Sequence, residues 1–430
     1  MTGYREEYDE RRNIAITTTI ASEFGELEMV GYTAAVRDAP RLDIFGVGVG
    51  GSILSEVVKA GNALYFGGMD KKFYCVSDRG EELWTFPTNH VNCSPAVAED
   101  RVYFGSFDTN LYCLDLQGQL LWKFATKGMI CSRPCITPAG VVFGSKDGNV
   151  YCVSPEGELV WRFQTPGAIT QDPVLYKGRI YIGSADPVLY VLTLEGRLAG
   201  KITAQGAFST PVIADDRIYV GNFDKNFYAF SLEGKKLWSY KSPVTIGTRR
   251  PLYHDGVIYA GARDGCVYAF RADGRLARKF VMQDVAMWMT PATDGELLYV
   301  GSADRNFYAF DLATGALAWT FPTKGPIHSS PTLDQGTLYF GGWDANLYAV
   351  STDGRVQWTF RLSMSSPAPI EPEEELRPAA QGKMVWQQSG SLPEGGERYR
   401  RETLGEGGSE SVYTFRSEYT TKSQYTMKKR

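Results

Sequence analysis

The feature that most constrains the fold is a unit of about 40 residues that occurs eight times in the chain. The segment Arg101 to Trp122, RVYFGSFDTNLYCLDLQGQLLW, is a representative copy. The second tyrosine of each copy marks the register, and successive marker tyrosines lie 38 to 40 residues apart: Tyr74, Tyr112, Tyr151, Tyr190, Tyr228, Tyr268, Tyr308 and Tyr348. A fixed period of this size is typical of stacked supersecondary units that cannot bury their apolar faces alone.

Each copy reads as four strands separated by turns. An aspartate opens the short polar turn between two aromatic runs, once per copy: Asp70, Asp108, Asp147, Asp186, Asp224, Asp264, Asp304 and Asp344. Aspartate suits this position because its carboxylate can accept hydrogen bonds from backbone N–H groups two residues on. In six copies a tryptophan follows four residues after the glycine of the next turn: Trp84, Trp122, Trp161, Trp238, Trp319 and Trp358. A loop then reaches a proline that precedes one more apolar run.

Eight repeats of four strands predict an all-β fold, an eight-bladed β-propeller of four-stranded antiparallel blades. A linear β-solenoid is the alternative, but tight meander hairpins fit radial blades better and eight blades can close. We label the strands of a blade A to D, with A after the proline and D at the tryptophan. We expect the first strand A within Ile53–Ala60 and the last strand D to end near Leu362. No strand would then cross the closing seam, and the first blade would pack directly against the eighth.

The composition divides the chain into three regions. Residues 1–45 form an N-terminal extension with an extra strand predicted over 14–20, because the sequence IAITTTI is rich in β-branched residues. Residues 46–362 form the propeller. Residues 363–430 begin with a linker rich in proline and glutamate and end in VYTFRSEYTTKSQYTMKKR. Two interpretations of this tail stay open: a disordered segment, or docking strands that add to a partner.

The repeat resembles that of the PQQ-like (quinoprotein-type) β-propellers, whose pattern runs roughly L-Y-x-G-s-x-D-G-x-L-Y-A-L-d-x-x-T-G-x-x-x-W. The segments Ala63–Trp84, Val102–Trp122 and Leu298–Trp319 match it closely, and the resemblance covers about residues 45–362. It implies the propeller fold and says little about function. The family includes quinone-dependent dehydrogenases, an outer-membrane assembly lipoprotein, lumenal domains of stress sensors and sensor domains of bacterial kinases.

Charge and apolar patterning exclude several partner classes. The 430 residues carry 45 Lys and Arg against 49 Asp and Glu, so we predict no nucleic-acid partner. No stretch approaches the roughly 18 apolar residues of a membrane span. The first residues lack the basic and apolar regions of a signal peptide. The seven cysteines are an odd number, which argues against a disulfide framework. We therefore expect a cytoplasmic protein.

Strand alternation predicts that residues just before the prolines line the mouth of the central channel. The polar and aromatic candidates for ligand or partner contact are Asn92, Arg133, Asp172, Arg249, Arg250, Trp288 and His328. The same segments also contain Cys93, Ser94, Cys131, Ser132, Gln171, Ser209, Thr210, Met289, Thr290, Ser329 and Ser330. The alternative is that these residues only hydrate the channel and complete strand ends.

Two copies lack the tryptophan, with Gly200 in the fourth and Arg278 in the sixth. Ordinary drift within a repeat array explains such departures. A partner contact on these blades, with Trp288 as an aromatic anchor, is the other interpretation.

The resemblance implies a quinone cofactor and a calcium site in the enzymes of the family, and this sequence departs from both. No vicinal Cys-Cys pair occurs, and only Asn92 and Asp172 of the mouth residues offer the oxygen ligands that calcium prefers. His90, His254 and His328 have no metal-ligand spacing with cysteine. We therefore expect no cofactor and no catalytic activity.

We predict a non-catalytic protein–protein interaction platform, a subunit of a larger cytoplasmic assembly. It would bind other protein subunits through a propeller face and its terminal extensions. The alternative is a ligand-sensing module that binds a small molecule at the channel mouth. A quinone-dependent dehydrogenase is the third hypothesis.

Overall fold

The computed structural model of the protein describes residues 51–362, apart from 90, 92, 99, 248 and 283–288, together with seven strands of the terminal segments. All strands of the propeller fall into eight sheets of four antiparallel strands, and each sheet contains four consecutive strands of the chain. The eight-bladed all-β propeller predicted from the repeat is therefore confirmed.

Blades 1 to 4 have the following strands, each blade in the order A, B, C, D: β5 Val58–Ala60, β6 Ala63–Gly67, β7 Lys72–Ser77 and β8 Glu82–Pro87; β9 Ala96–Ala98, β10 Arg101–Gly105, β11 Asn110–Asp115 and β12 Leu120–Ala125; β13 Cys135–Thr137, β14 Gly140–Gly144, β15 Asn149–Val153 and β16 Leu159–Gln164; β17 Val174–Tyr176, β18 Arg179–Gly183, β19 Val188–Thr193 and β20 Leu198–Thr203.

Blades 5 to 8 follow the same order: β21 Val212–Ala214, β22 Arg217–Gly221, β23 Asn226–Ser231 and β24 Lys236–Lys241; β25 Leu252–His254, β26 Val257–Gly261, β27 Cys266–Arg271 and β28 Leu276–Val281; β29 Ala292–Thr293, β30 Leu297–Gly301, β31 Asn306–Asp311 and β32 Leu317–Pro322; β33 Thr332–Asp334, β34 Thr337–Gly341, β35 Asn346–Ser351 and β36 Val356–Arg361.

Strand A is the innermost strand of each blade. Strands A contact one another in six neighbouring pairs of blades, and one of these pairs joins β33 of blade 8 to β5 of blade 1. Because each strand D pairs only with its own strand C among the described strands, the D strands form the outer edge.

The seam between blades 8 and 1 closes without strand exchange, as predicted. The Ile53 N–H donates to the Gly342 carbonyl at 3.1 Å. The ammonium of Lys59 lies 2.5 Å from a carboxylate oxygen of Asp334. Ile53 itself is fully buried and belongs to a core cluster that also contains Leu347 of blade 8. Hydrogen bonds, an ion pair and an apolar core therefore hold the ends of the propeller together.

Each tryptophan of strand D seals the interface with the next blade. The indole N–H of Trp84 donates to the Leu116 carbonyl at 2.8 Å, and the ring lies so close to Gly118 that an added Cβ there would be 2.6 Å from Trp84 Cδ2. Five further tryptophans make the same carbonyl contact with the following blade: Trp122, Trp161, Trp238, Trp319 and Trp358.

The two blades without this tryptophan cover the glycine of the next blade with other side chains. The guanidinium of Arg278 donates to the Ala313 carbonyl at 2.8 Å and covers Gly315. In blade 4, Ile202 approaches Gly234 in place of an indole. Both departures from the repeat therefore have a packing role within the propeller.

The turn aspartates hold the tyrosine of the adjacent strand C. In the blade 2 turn, Tyr112 donates its hydroxyl hydrogen to Asp108 Oδ2 at 2.8 Å, and the Asn110 N–H donates to Asp108 Oδ1 at 3.1 Å. The tyrosine–aspartate bond occurs in all eight blades, and its pairs are Tyr74–Asp70, Tyr112–Asp108, Tyr151–Asp147, Tyr190–Asp186, Tyr228–Asp224, Tyr268–Asp264, Tyr308–Asp304 and Tyr348–Asp344. Each carboxylate therefore fixes both a turn and a phenol ring.

The core of the propeller lies between blades rather than at one centre. Phe73 of blade 1 stacks on Phe104 of blade 2 with ring centroids 4.0 Å apart, and Phe307 of blade 7 stacks on Phe340 of blade 8 at 4.1 Å. Offset and stacked aromatic pairs contribute beyond their burial of apolar area. A repeated interface of this kind lets the domain exceed the size that a single core supports.

The terminal strands belong to a compact unit distinct from the propeller. One sheet contains β1 Gly3–Asp9, β2 Ile14–Ser22, β3 Gly25–Met29 and β4 Thr33–Ala34, and another contains β37 Met384–Val385, β38 Gly396–Arg401 and β39 Val412–Arg416. Strand β2 includes the residues predicted to form an extra strand. Within the described part of the chain, no helix has the length and apolar character needed to cross a membrane.

Candidate functional site

The residue two positions before strand A, which precedes the proline in blades 2 to 8 and Val57 in blade 1, occupies an equivalent place in every blade. We call these eight residues the belt residues: Glu56, Ser94, Arg133, Asp172, Thr210, Arg250, Thr290 and Ser330. Several of their side chains accept a backbone hydrogen bond from the preceding blade. The Asp172 carboxylate accepts the Arg133 N–H at 2.7 Å, and Ser330 Oγ accepts the Thr290 N–H at 2.8 Å. The belt residues therefore connect adjacent blades around the channel.

The belt residues surround a cavity of about 350 Å³ at the channel mouth. Apart from Thr210, all of them line it, and Arg249 and His328 line it as well. Five of the seven sequence-predicted contact residues thus converge on one site: Arg133, Asp172, Arg249, Arg250 and His328. Asn92 and Trp288 lie outside the described residues.

One half of the cavity contains a cluster of two carboxylates around Arg133. The Arg133 guanidinium lies 3.0 Å from Glu56 Oε2, and these two residues come from blades 3 and 1. Their side chains therefore meet across the position of blade 2. Asp172 is engaged by the backbone N–H of Arg133. Both carboxylates of the cavity are thus bound to Arg133.

Arg249 and Arg250 enter the cavity from blade 6. Among the residues that the structure describes, no carboxylate lies within ion-pair distance of either guanidinium. The Thr290 hydroxyl donates to the Arg250 carbonyl at 2.8 Å, which fixes the backbone at this point. The charge of the cavity is therefore distributed unevenly around the ring.

His328 lies buried beside the arginines, with 8% of its surface exposed. Its ring packs edge-on against Trp343 at 4.8 Å between centroids. Burial, together with the smaller effect of the positive charge of Arg249, lowers the pKa of His328 to about 4. The imidazole is therefore neutral at pH 7.

In blades 2, 3, 5 and 8 the residue one position before the belt residue is buried and faces the protein, whereas Arg249 of blade 6 lines the cavity. Ser132 Oγ accepts the Gly144 N–H at 2.8 Å and donates to the Gly144 carbonyl at 3.0 Å. Cys93 makes the same pair of contacts with Gly105. Ser209 and Ser329 are buried as well. Consecutive side chains of an extended backbone point in opposite directions, which explains the division.

The thiols of the propeller are packing groups. Burial raises the pKa of Cys113 and of Cys152 to about 12, and that of Cys75 to about 11. Thiolates are the nucleophilic form of cysteine, so such thiols react poorly at neutral pH. All seven cysteines are free of disulfide bonds.

The quinone and calcium pair that the resemblance implies does not fit these side chains. The cavity offers Glu56 and Asp172 as oxygen ligands, and both already bind Arg133. Three arginines line the same space, which opposes a divalent cation. No group of three or more potential metal-ligating side chains occurs among the described residues.

The outer edge carries a second candidate surface, which the sequence patterns did not single out. The first two residues of strand D are exposed and branched in both blades 2 and 3: Leu120, Leu121, Leu159 and Val160, which we call the outer-edge patch. The exposed fractions of Leu121 and Val160 are 46% and 51%. A β-bulge explains two consecutive exposed side chains, because Trp122 pairs with Cys113 while Leu120 pairs with Leu114, leaving Leu121 unpaired.

Two basic residues adjoin the outer-edge patch. Lys123 on β12 and Arg162 on β16 are both exposed. The patch therefore combines branched apolar side chains with positive charge on two adjacent edge strands. The signal in the sequence was the pair of apolar residues before Trp122 and before Trp161, which other blades replace by alanine or a polar residue at one position.

Comparison with protein families identifies the repeats. A family model described as "Outer membrane protein assembly factor BamB" matches residues 35–130, 146–284 and 278–392. No curated protein sequence matches the chain.

Two solved structures illustrate the fold similarity. The computationally designed Ika8 protein is 17% identical, with a TM-score of 0.60 over 73% of this chain and 98% of that chain. BamB from Moraxella catarrhalis is also 17% identical, with a TM-score of 0.57 over 73% of this chain and 95% of that chain. Identities this low establish the shared fold alone.

Proposed function

The chain belongs to the PQQ-like repeat family, whose model is described as "Outer membrane protein assembly factor BamB", and on that premise we propose that it is a non-catalytic protein–protein interaction platform. It acts as a subunit of a larger cytoplasmic assembly. The observation that carries the proposal is the outer-edge patch, two pairs of exposed apolar side chains on the outer strands of neighbouring blades in a closed ring. Exposed apolar side chains that come in groups rather than singly mark an interaction site on a folded protein.

The patch lies on strands that can accept a further strand. Strands β12 and β16 each pair with one neighbour among the described strands, so their outer backbone groups are free of ladder hydrogen bonds. An extended partner segment can add to such an edge through main-chain hydrogen bonds, with side-chain contacts supplying specificity. Lys123 and Arg162 favour a segment that alternates apolar and acidic residues.

The free cysteines support the cytoplasmic location in this proposal. Disulfides persist in oxidising compartments and are rare in the cytosol, whereas this chain has seven free thiols. Fractionation of the source cells followed by immunoblotting tests the location. Recovery in the cytosolic fraction is expected, and recovery with membranes after a high-salt wash contradicts it.

The platform is tested by introducing charge into the outer-edge patch. The double variant L121E/V160E places two carboxylates on blades 2 and 3. The matched control A277E/A318E places the same charges at the same strand position on blades 6 and 7, where both alanines are exposed. Affinity capture from the source cells with mass spectrometry gives the companion proteins of the wild type.

We expect L121E/V160E to lose those companions while A277E/A318E retains them. Equal retention by both variants would show that the patch is not the docking surface. A wild type that travels alone, with turnover of a supplied quinone-dependent substrate, would reject the platform in favour of an enzyme.

A further inference from the structure

The two halves of the channel-mouth cavity have opposite electrostatic character. On one side, Arg133 binds both carboxylates, Glu56 and Asp172. On the other side, Arg249 and Arg250 have no anionic partner among the described residues. The cavity therefore contains three guanidinium groups and two carboxylates, with the excess positive charge concentrated on the blade 6 side.

The charge of Arg249 reaches the centre of the ring. It lowers the pKa of the buried His328 of blade 8, and it opposes the burial that raises the pKa of Cys93 of blade 2 to about 12. Blade 2 lies opposite blade 6 in an eight-membered ring. The position of Arg249 in the cavity lining accounts for an effect on both blades.

Arg250 projects into the same space. Burial raises the pKa of Cys135 on blade 3, and the positive charge of Arg250 is among the groups that oppose the shift. Guanidinium groups that converge on a partly enclosed cavity bind carboxylate and phosphate oxygens well, since each offers a planar fork of donors.

The remaining polar groups near the arginines are also able to donate. Ser330 Oγ accepts the Thr290 N–H at 2.8 Å. A hydroxyl that accepts such a bond keeps its own hydrogen for another acceptor. Neutral His328 also has one N–H. Ser330 and His328 therefore add hydrogen-bond donors to the cavity lining.

We infer that the Arg249–Arg250 side of the channel-mouth cavity binds a small anion that carries a phosphate or carboxylate group. A volume of about 350 Å³ lies at the lower end of the range for small-molecule sites, which selects a compact ligand. The cavity is separate from the outer-edge patch, so anion binding is tested independently of the proposed partner surface.

Each of the two arginines can be replaced by the residue that blade 7 has at the same position. Met289 and Thr290 occupy in blade 7 the places of Arg249 and Arg250 in blade 6. The variants R249M and R250T therefore delete charge while keeping side chains that this fold already accepts there. R162Q on the outer strand β16 deletes one positive charge outside the cavity and serves as the control.

Isothermal titration of the full chain with inorganic phosphate and, separately, with succinate measures binding at constant ionic strength. We expect saturable binding of at least one anion to the wild type and to R162Q, and a loss of about tenfold or more in affinity for R249M and for R250T. Binding of phosphate alone identifies a phosphate ligand, and binding of succinate alone identifies a carboxylate ligand. Binding of neither anion, or equal binding by all variants, overturns the inference.

A second measurement does not depend on the variants. An anion beside Arg249 would offset its charge at His328, so saturating phosphate or succinate should raise the pKa of His328 in an NMR titration. An unchanged pKa of His328 at saturation would place the anion elsewhere and reject the site.

Discussion

The guanidinium of Arg278 donates a hydrogen bond to the Ala313 carbonyl at 2.8 Å, the contact that an indole N–H makes between other blades. Trp238 makes it from the preceding blade to the Ala272 carbonyl at 3.0 Å. Arginine and tryptophan share the features that this position requires, which are a flat group that covers a glycine and an N–H directed at the next blade. The seam between blades 6 and 7 therefore follows the rule of the propeller with a different residue.

Replacement of Arg278 tests this equivalence. R278A should lower the free energy of unfolding by about 1 kcal/mol, because the hydrogen bond and the cover over Gly315 are lost. R278W should keep the stability of the wild type. Urea unfolding followed by fluorescence measures both, with R275A at an exposed neighbouring site as the control. Equal stability of R278A and R278W would show that the contact contributes nothing.

The turn glycines beneath the indoles should tolerate no side chain. In G118A the new Cβ would lie 2.6 Å from Trp84 Cδ2, at a backbone φ of +82°. Gly178 has a similar φ of +71° but nothing within 4 Å of an added Cβ, so G178A carries the backbone cost alone. We expect G118A to destabilise the protein by about 1 to 3 kcal/mol more than G178A, because the indole must move. Thermal unfolding of both variants measures the difference, and equal losses would contradict the steric argument.

The turn carboxylate of Asp147 should give the fold a pH-dependent component. Burial alone would raise the pKa of Asp147, but hydrogen bonds from the Lys127 N–H, from Asn149 and from the Tyr151 hydroxyl outweigh it and hold the pKa below its usual value. A carboxyl group with a depressed pKa in the folded state stabilises above its unfolded pKa of about 3.9, and this contribution is lost as pH falls through the folded value.

The variant D147N isolates that contribution. It should cost about 1 to 3 kcal/mol at pH 7, since a charged acceptor of several hydrogen bonds is removed, and less as the pH falls below about 4. Urea unfolding from pH 7 to pH 3 measures the trend. D100N, at a carboxylate whose side chain is 78% exposed, is the control. A cost that stays constant with pH would exclude the ionised carboxylate as its source.

His328 provides a direct probe of Arg249. Burial first and the charge of Arg249 second lower the pKa of His328 to about 4. A histidine with a depressed pKa in the folded state stabilises above its unfolded pKa of about 6.5 and loses that contribution as pH falls toward 4. R249M should raise the pKa of His328 in an NMR titration, whereas R162Q should leave it unchanged. An unaltered pKa in R249M would mean that Arg249 does not reach the channel.

Sequence periodicity was sufficient to predict the fold. The spacing of the marker tyrosines and the A-to-D order of strands follow from alternation and turn chemistry, which are local properties of the chain. Closure of the ring without strand exchange was predicted correctly. Ser55 and Glu56 occupy in blade 1 the two positions that directly precede the proline in the other blades. Strand A of blade 1 could therefore be recognised without the proline.

The candidate site was predicted only in part. Arg133, Asp172, Arg249, Arg250 and His328 line one cavity, but the sequence did not distinguish the belt residues from their buried neighbours. That distinction depends on which side chain of an extended pair points inward. Glu56 was missed because its partner, Arg133, lies two blades away and 77 residues along the chain. The outer-edge patch was missed because a bulge, which periodicity does not reveal, turns Leu121 outward.

Hydrogen exchange on the complex with its captured partner tests the interaction platform most directly. Amide protection relative to the isolated chain should increase in Leu120–Ala125 and Leu159–Gln164, the strands whose outer backbone groups would pair with the partner. Strands Leu276–Val281 and Leu317–Pro322 at the same position of blades 6 and 7 should remain unchanged. Protection confined to other parts of the chain, with β12 and β16 unaffected, would contradict docking at the outer edge.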